Sequence, residues 1–221
     1  MFYQTFLDIL ETEDEIDIEK QSAICTSGFT NTLKTLNANG GLTYELIKEI
    51  APYMKRMLCK PQNLIADTED YYIAEDEIIS LYYICYKWLL MLDIDLPHLE
   101  KEEREQQLIV VLDSLPQTIR GIPTLYHVYS TRKGYHIFIV SHKMEKGSKE
   151  AIDIMLNSTT DPYYTILSYL RGWSVRLSHK NDEPPTIHLY HYVRSHGTGY
   201  ANPQCIAAVD LHLKLSTYSV A

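Results

Sequence analysis

Two apolar runs facing each other across a short basic turn constrain this chain more than any other feature. Thr124-Leu-Tyr-His-Val-Tyr-Ser130 and Tyr135-His-Ile-Phe-Ile-Val-Ser141 are rich in β-branched and aromatic residues, and Thr131-Arg-Lys-Gly134 lies between them. Runs of this kind, joined by a few residues that include glycine, form an antiparallel hairpin. A lone hairpin is only marginally stable in water and must pack on further strands or a helix. The 221 residues of the chain are enough to supply one sizeable core around it.

Signals on both sides of the hairpin predict the remaining elements. Asn37-Ala-Asn-Gly-Gly41 marks a loop, after which Thr43 caps a helix running through Leu46, Ile47 and Ile50, kinked at Pro52, to about Leu58. Residues 78–96 read as one or two buried strands, the last over 88–95, although periodicity leaves a helix open for the first half. Pro97 ends this run, and 99–112, with Glu, Lys, Arg and Gln at its start, reads as a crossover helix. Gly147 and Ser148 open a short helix through Leu156. Asp161-Pro162 has the form of an N-cap followed by N1, starting a helix that stops at Arg171-Gly172. Strands follow over 173–177 and 186–193. The expectation is a mixed α/β (α+β) fold with its strands concentrated after residue 80. Residues 1–80 would be a mainly helical acidic region within the same compact unit as 81–221.

Charge narrows the function. Lys plus Arg number 20 and Asp plus Glu 29, a net charge of −9. That balance argues against a protein that coats nucleic acid non-specifically, because such binding is driven by phosphate neutralisation and counterion release. The charge is uneven, however. Residues 1–20 hold seven acids and one base and 61–80 hold six acids and no base, whereas 121–180 hold eight bases and four acids, a local net of +4. The four cysteines, at 25, 59, 85 and 205, form no CxxC pair, so neither a zinc ribbon nor a thioredoxin-type site is visible. The first residues lack a basic leader, and no apolar stretch reaches the ~18 to 20 residues of a membrane span. A soluble, intracellular protein with reduced thiols, neither secreted nor membrane-bound, is expected.

Several constellations could carry chemistry. Asp93 and Asp95 end an apolar run and, one residue apart on a strand, share a face. Two carboxylates so near a core call for a positive charge between them, and hard oxygen donors suit Mg2+ or Mn2+. The alternative is a strand end whose aspartates face water or cap the next turn. His136 follows the basic turn, where Arg132, Lys133 and Gly134 would grip a phosphate, or simply form a solvated turn. Asp161 serves as a helix cap or a third metal carboxylate. Arg176, Ser178 and Lys180 share one side of an extended segment, a spacing suited to a triphosphate and also to a charge-protected edge strand.

In this order the motifs resemble the catalytic core of the archaeo-eukaryotic primase superfamily, the small primase subunits and primase-polymerases. Leu90-Met-Leu-Asp93-Ile-Asp95 matches that family's strand ending in Asp-x-Asp, and Ser130-Thr-Arg132-Lys133-Gly134-Tyr-His136 matches its hairpin motif. Thr160-Asp161 followed by Arg176-Leu-Ser178-His-Lys180 matches the third. The resemblance implies a primase-like core with a mixed sheet, an RRM-like module and flanking helices over 81–221. It implies template-directed nucleotidyl transfer, in which Asp93, Asp95 and Asp161 hold two divalent ions, Mg2+ or Mn2+. In that scheme Ser130, Arg132, Lys133, Gly134, His136, Arg176, Ser178 and Lys180 bind the incoming nucleotide. The implied partners are a single-stranded DNA template and nucleoside triphosphates, with a helicase or accessory primase subunit acting in trans.

No cysteine cluster corresponds to the zinc insertion of many small primase subunits, so no zinc site is expected. His188, His191 and His196 with Cys205 are the alternative donors. His188 and His191 lie three apart on a predicted strand and so point to opposite faces, which favours a Tyr/His-rich strand flanking the nucleotide site. Two other functions use the same residues. One is a catalytically degenerate core that binds nucleotide or single-stranded DNA as a subunit; the other is a metal-dependent nuclease.

Overall fold

The computed structural model describes residues 31–58, 62–76, 81–178 and 189–218. They form a mixed α/β fold of antiparallel sheets and helices. The first sheet has the order β1 (Gln62–Asp67), β2 (Tyr71–Asp76), β3 (Leu81–Tyr86) and β9 (Trp173–Arg176), every pair antiparallel. The second has the order β10 (His191–Gly197), β7 (Leu125–Ser130), β8 (Gly134–Ile139) and β4 (Met91–Asp95), again antiparallel throughout. Two-residue strands β5 (Thr118–Ile119) and β6 (Ile122–Pro123) form a small separate hairpin. The helices are α1 (Tyr44–Leu58), α2 (Lys101–Ser114), α3 (Lys149–Asn157), α4 (Pro162–Arg171) and α5 (Pro203–Tyr218), with further helical residues at 31–38. Among the described residues, no helix is long and apolar enough to cross a membrane.

The local chemistry explains most element ends. Thr43 Oγ1 accepts the Leu46 N–H at 3.3 Å at the start of α1, and Pro52 inside that helix leaves the Lys48 carbonyl without its usual donor. Ser148 Oγ caps α3 through the Ala151 N–H, and Asp161 Oδ1 caps α4 through the Tyr164 N–H at 3.0 Å, with Pro162 at N1. Gly172 ends α4 with φ +98°, where a side chain would also run into the Tyr86 carbonyl.

One apolar cluster joins both sheets. Ile84, Tyr86, Trp173 and Val175 come from the first, Met91, Val128, Ile137 and Phe138 from the second, and Ile50, Leu112, Ile152, Ile166 and Val209 from the helices. Tyr86 donates its buried hydroxyl to the Ala208 carbonyl at 2.6 Å, fastening α5 to the first sheet. In the second sheet, β8 lies between β4 and β7, so β4 and β7 run parallel without pairing and α2 connects them. This is a split β-α-β arrangement. Alternation sorts the sheet's two faces. Tyr135 of β8 stands beside Arg104 and Glu105 of α2, and Tyr126 of β7 donates to the Pro116 carbonyl just beyond that helix. On the opposite face, Phe138 packs its ring on His212 of α5 at 5.2 Å. Asp93, Asp95 and His136 share the α5 face.

The elements depart from the sequence expectations in three places. Residues 62–76 are the hairpin β1–β2, so strands begin before residue 80 and the region is not helical throughout; β2 finds its partner in β3, a contact with no local signature. Of the strand expected over 186–193, residues 186–188 lie outside the described residues and 189–190 are not strand; the strand runs over His191–Gly197, in the register set by β7. Helix α5 went unsignalled between that strand and the chain's end. Residues 1–30, with their acidic run, Cys59 and the 179–188 segment lie outside the described residues.

Candidate active site

β4 and β8 pair so that Asp93 stands opposite His136 and Asp95 opposite Gly134. The Asp93 Oδ1 and His136 Nε2 atoms are 3.5 Å apart, with 28% and 12% of their side chains exposed. Asp161 reaches the same place through the backbone: its N–H donates to the Asp93 carbonyl at 3.1 Å, on the edge of β4 away from β8. Three motifs distant in sequence therefore meet at the open end of one sheet face.

Electrostatics register the meeting. Asp95 is held above the ordinary carboxylate range first by lost hydration on its protein side, then by the charges of Asp93 and Asp161; Lys133 and His136 pull the other way. The three acids thus feel one another, with Lys133 of the turn among them. Lys34, in the helical stretch 31–38, adds a second cation, its Nζ lying 3.7 Å from Asp161 Oδ2.

The hairpin turn is pinned on both sides. Leu96 N–H donates to the Lys133 carbonyl at 2.8 Å and Arg104 Nη1 to the Arg132 carbonyl at 3.0 Å, while the Thr131 hydroxyl accepts the Gly134 N–H. Gly134 is required by the sheet itself, because a Cβ there would overlap the Ile94 carbonyl of β4. Ser130 donates to the His191 carbonyl at 3.4 Å. The turn is a fixed platform whose two basic side chains project from it.

The third motif is brought only partly to this place. Arg176 ends β9, and its carbonyl accepts the Tyr190 hydroxyl at 2.8 Å. The Tyr190 ring lies 5.0 Å from His136, so one side chain ties β9 to the histidine. Ser178 Oγ accepts the Tyr82 N–H at 2.9 Å, extending the edge of β3. Lys180 lies outside the described residues, as does His188. His196 packs against Tyr126, and Cys205 is buried with its thiol at the His142 carbonyl.

Two residues enter that sequence reading did not single out. Lys34 carried no motif. His212 is fully buried on α5 against Phe138 and Tyr190, and neither ring nitrogen has a hydrogen-bond partner among the described residues. Burial, then His136, pushes it down to about 3, so it is neutral at physiological pH.

The donor set is one that hard divalent cations favour: carboxylate oxygens, mutually repelling and partly dehydrated. Yet among the described residues no group of three or more His, Cys, Asp or Glu side chains stands at metal-holding geometry. Asp161 explains this, since one of its oxygens caps α4 and the other faces Lys34. Asp93 and Asp95 offer donors of the right kind on one strand face, and Asp161 would join them only in exchange for Lys34. Comparison with protein-family models, curated proteins and solved structures finds no match.

Proposed function

We propose that this chain is a template-directed nucleotidyltransferase, a DNA primase or primase-polymerase that makes or extends primers from nucleoside triphosphates on single-stranded DNA inside the cell. The observation that carries the reading is the cross-strand pair of Asp93 and His136, with Asp161 hung on the Asp93 carbonyl and Asp95 one step along the strand. The split β4-α2-β7-β8 arrangement supports reading the second sheet as the RRM-like module of a primase-like core.

In this mechanism two divalent ions held by Asp93, Asp95 and Asp161 would ease deprotonation of the primer 3′-hydroxyl and neutralise the departing pyrophosphate. The protein's own groups position the reactants. Lys133, on its pinned turn, faces the triphosphate together with Arg132. His136, packed on the Tyr190 ring with Nδ1 buried, would turn its Nε2 N–H from Asp93 to a phosphate oxygen when Asp93 takes up a cation. Arg176, at the end of β9, adds charge, and a helicase or accessory subunit in trans loads the template.

The test is synthesis of labelled oligonucleotide on a single-stranded template with Mg2+ or Mn2+. Wild type is expected to make product, and Asp93→Ala to make none while unfolding as cooperatively as wild type. Product from the double variant Asp93→Ala, Asp95→Ala would overturn the mechanism. The engagement of both Asp161 oxygens favours a second reading, a degenerate subunit that binds nucleotide or single-stranded DNA without turnover. Its signature is metal-dependent thermal stabilisation by nucleoside triphosphates with no polymer formed.

A further inference from the structure

The acids of this chain are segregated between its two sheets. β1 and β2 carry Asp67, Glu75 and Asp76. In the second sheet, β7, β8 and β10 carry none, because no Asp or Glu occurs over residues 114–144 or 184–209 of a chain with 29 of them. The carboxylates of that sheet are confined to β4, at Asp93 and Asp95. At the opposite edge, β10 presents its residues outward, with Arg194 and Val193 exposed and Tyr192 56% exposed; beyond the strand, Tyr200 is 93% exposed.

The Tyr192 ring is exposed but held. It meets Tyr129 edge-on at 5.5 Å and His127 at 5.7 Å, and its hydroxyl shares a hydrogen bond with Ser195 at 2.8 Å. A fixed aromatic face at the surface loses little freedom when a planar group stacks on it. Register places Tyr192 opposite Tyr129, Tyr129 opposite His136 and His136 opposite Asp93. Three strand spacings separate the ends of that row, about 14 Å. Along the edge, His191 pairs with Ser130, and the next turn carries Arg132 and Lys133, the latter beside Asp95. An acid-free route therefore leads from Tyr200 along β10, over the basic turn, to the carboxylates.

We propose that this β10 edge is the docking strip for single-stranded DNA, with a base stacked on Tyr192, a second on Tyr200, and phosphates on Arg194 and Arg132. The occupant follows from the chemistry: exposed rings for base faces, guanidinium groups for phosphates and no carboxylate on the strip. Asp210 of α5, within electrostatic reach of His127 and Tyr129, bounds the strip on one side and keeps the phosphates on the Arg194 side. The proposal deepens the reading of the chain as a template-directed enzyme and rests on it for the choice of DNA.

The test is fluorescence anisotropy with a labelled oligothymidylate of about 16 nucleotides and a duplex of equal length. Wild type is expected to bind the single strand with an affinity that falls as salt rises. Tyr192→Ala should weaken it about tenfold, the size of one lost base stack. Arg194→Gln should weaken it and reduce the salt slope by about one. Asp210→Asn should tighten it, an opposite sign that general damage to the fold would not produce. Wild type that binds the single strand yet makes no labelled product under any template condition would overturn the enzymatic reading alone. Unchanged affinity in Tyr192→Ala and Arg194→Gln, or equal binding of the duplex, would overturn the docking strip.

Discussion

The Asp161 N–H donates to the Asp93 carbonyl at 3.1 Å, so the first turn of α4 hangs from the free edge of β4. One backbone bond brings the third carboxylate to the strand that carries the first two. Asp161 is thereby given two tasks, since its Oδ1 also caps the helix.

Substitution can separate the two tasks. Asp161→Ala should lose about 1 kcal/mol of stability through the missing cap and also lose nucleotidyl transfer. Asp161→Ser keeps a capping oxygen, so it should unfold within a few tenths of a kcal/mol of wild type and still be inactive. Urea denaturation beside the synthesis assay measures both; an active Asp161→Ser protein would reduce Asp161 to a helix cap.

Gly134→Ala should be among the more damaging single substitutions in the hairpin. The added methyl overlaps the Ile94 carbonyl, a backbone atom that cannot turn aside, and β4 must separate from β8 beside Asp95. A loss of about 2 to 3 kcal/mol is expected, read as a lower urea midpoint. Thr131→Ala, which removes only the hydroxyl that accepts the Gly134 N–H, should cost about 1 kcal/mol.

Asp95 should make the metal-free protein less stable as pH rises. Its folded-state pKa lies above that of the unfolded chain, so the folded state holds the proton more tightly and stability falls once pH climbs past the ordinary carboxylate value of about 4. Asp95→Asn should therefore melt at a higher temperature than wild type at pH 7 in the presence of a chelator. The difference should vanish near pH 3, where both side chains are neutral. Added Mg2+ should stabilise wild type and leave Asp95→Asn nearly unmoved; equal melting of the two proteins at pH 7 would contradict the crowding of the carboxylates.

His212 predicts the opposite slope. Burial holds its pKa at about 3, far below the value of about 6.5 in an unfolded chain, so the unfolded state takes up the proton first as pH falls. Stability should decline from about pH 6.5 downward through this residue. His212→Leu fills a similar volume without two unpartnered nitrogens. It should be as stable as wild type at pH 7 and flatter between pH 6.5 and 4, as measured by urea midpoints across that range.

Particular residues show how far the sequence could be read. The hairpin of β7 and β8 was legible because its alternation and its turn are local, and so were the Asp161-Pro162 and Arg171-Gly172 helix ends. Gly134 stood out as a turn residue, but its reason, the Ile94 carbonyl, belongs to a strand about forty positions earlier. β1 and β2 were missed because an exposed strand and a half-buried one, with acids at their ends, show little contrast between faces. β10 was displaced because its neighbour β7, rather than its own composition, sets where pairing begins.

By itself the sequence determined what short-range sterics and hydration dictate: the helix caps, the hairpin, the apolar strand ending in Asp93 and Asp95, and the uneven charge. Only the tertiary structure decided which edges meet. It set Asp93 opposite His136, hung Asp161 on the same strand, brought in Lys34 and buried His212. Among the described residues it also left β10, which carries no acid, at the edge of the second sheet. Pairing between distant strands depends on how whole faces are removed from water together, and no window of the chain contains both partners.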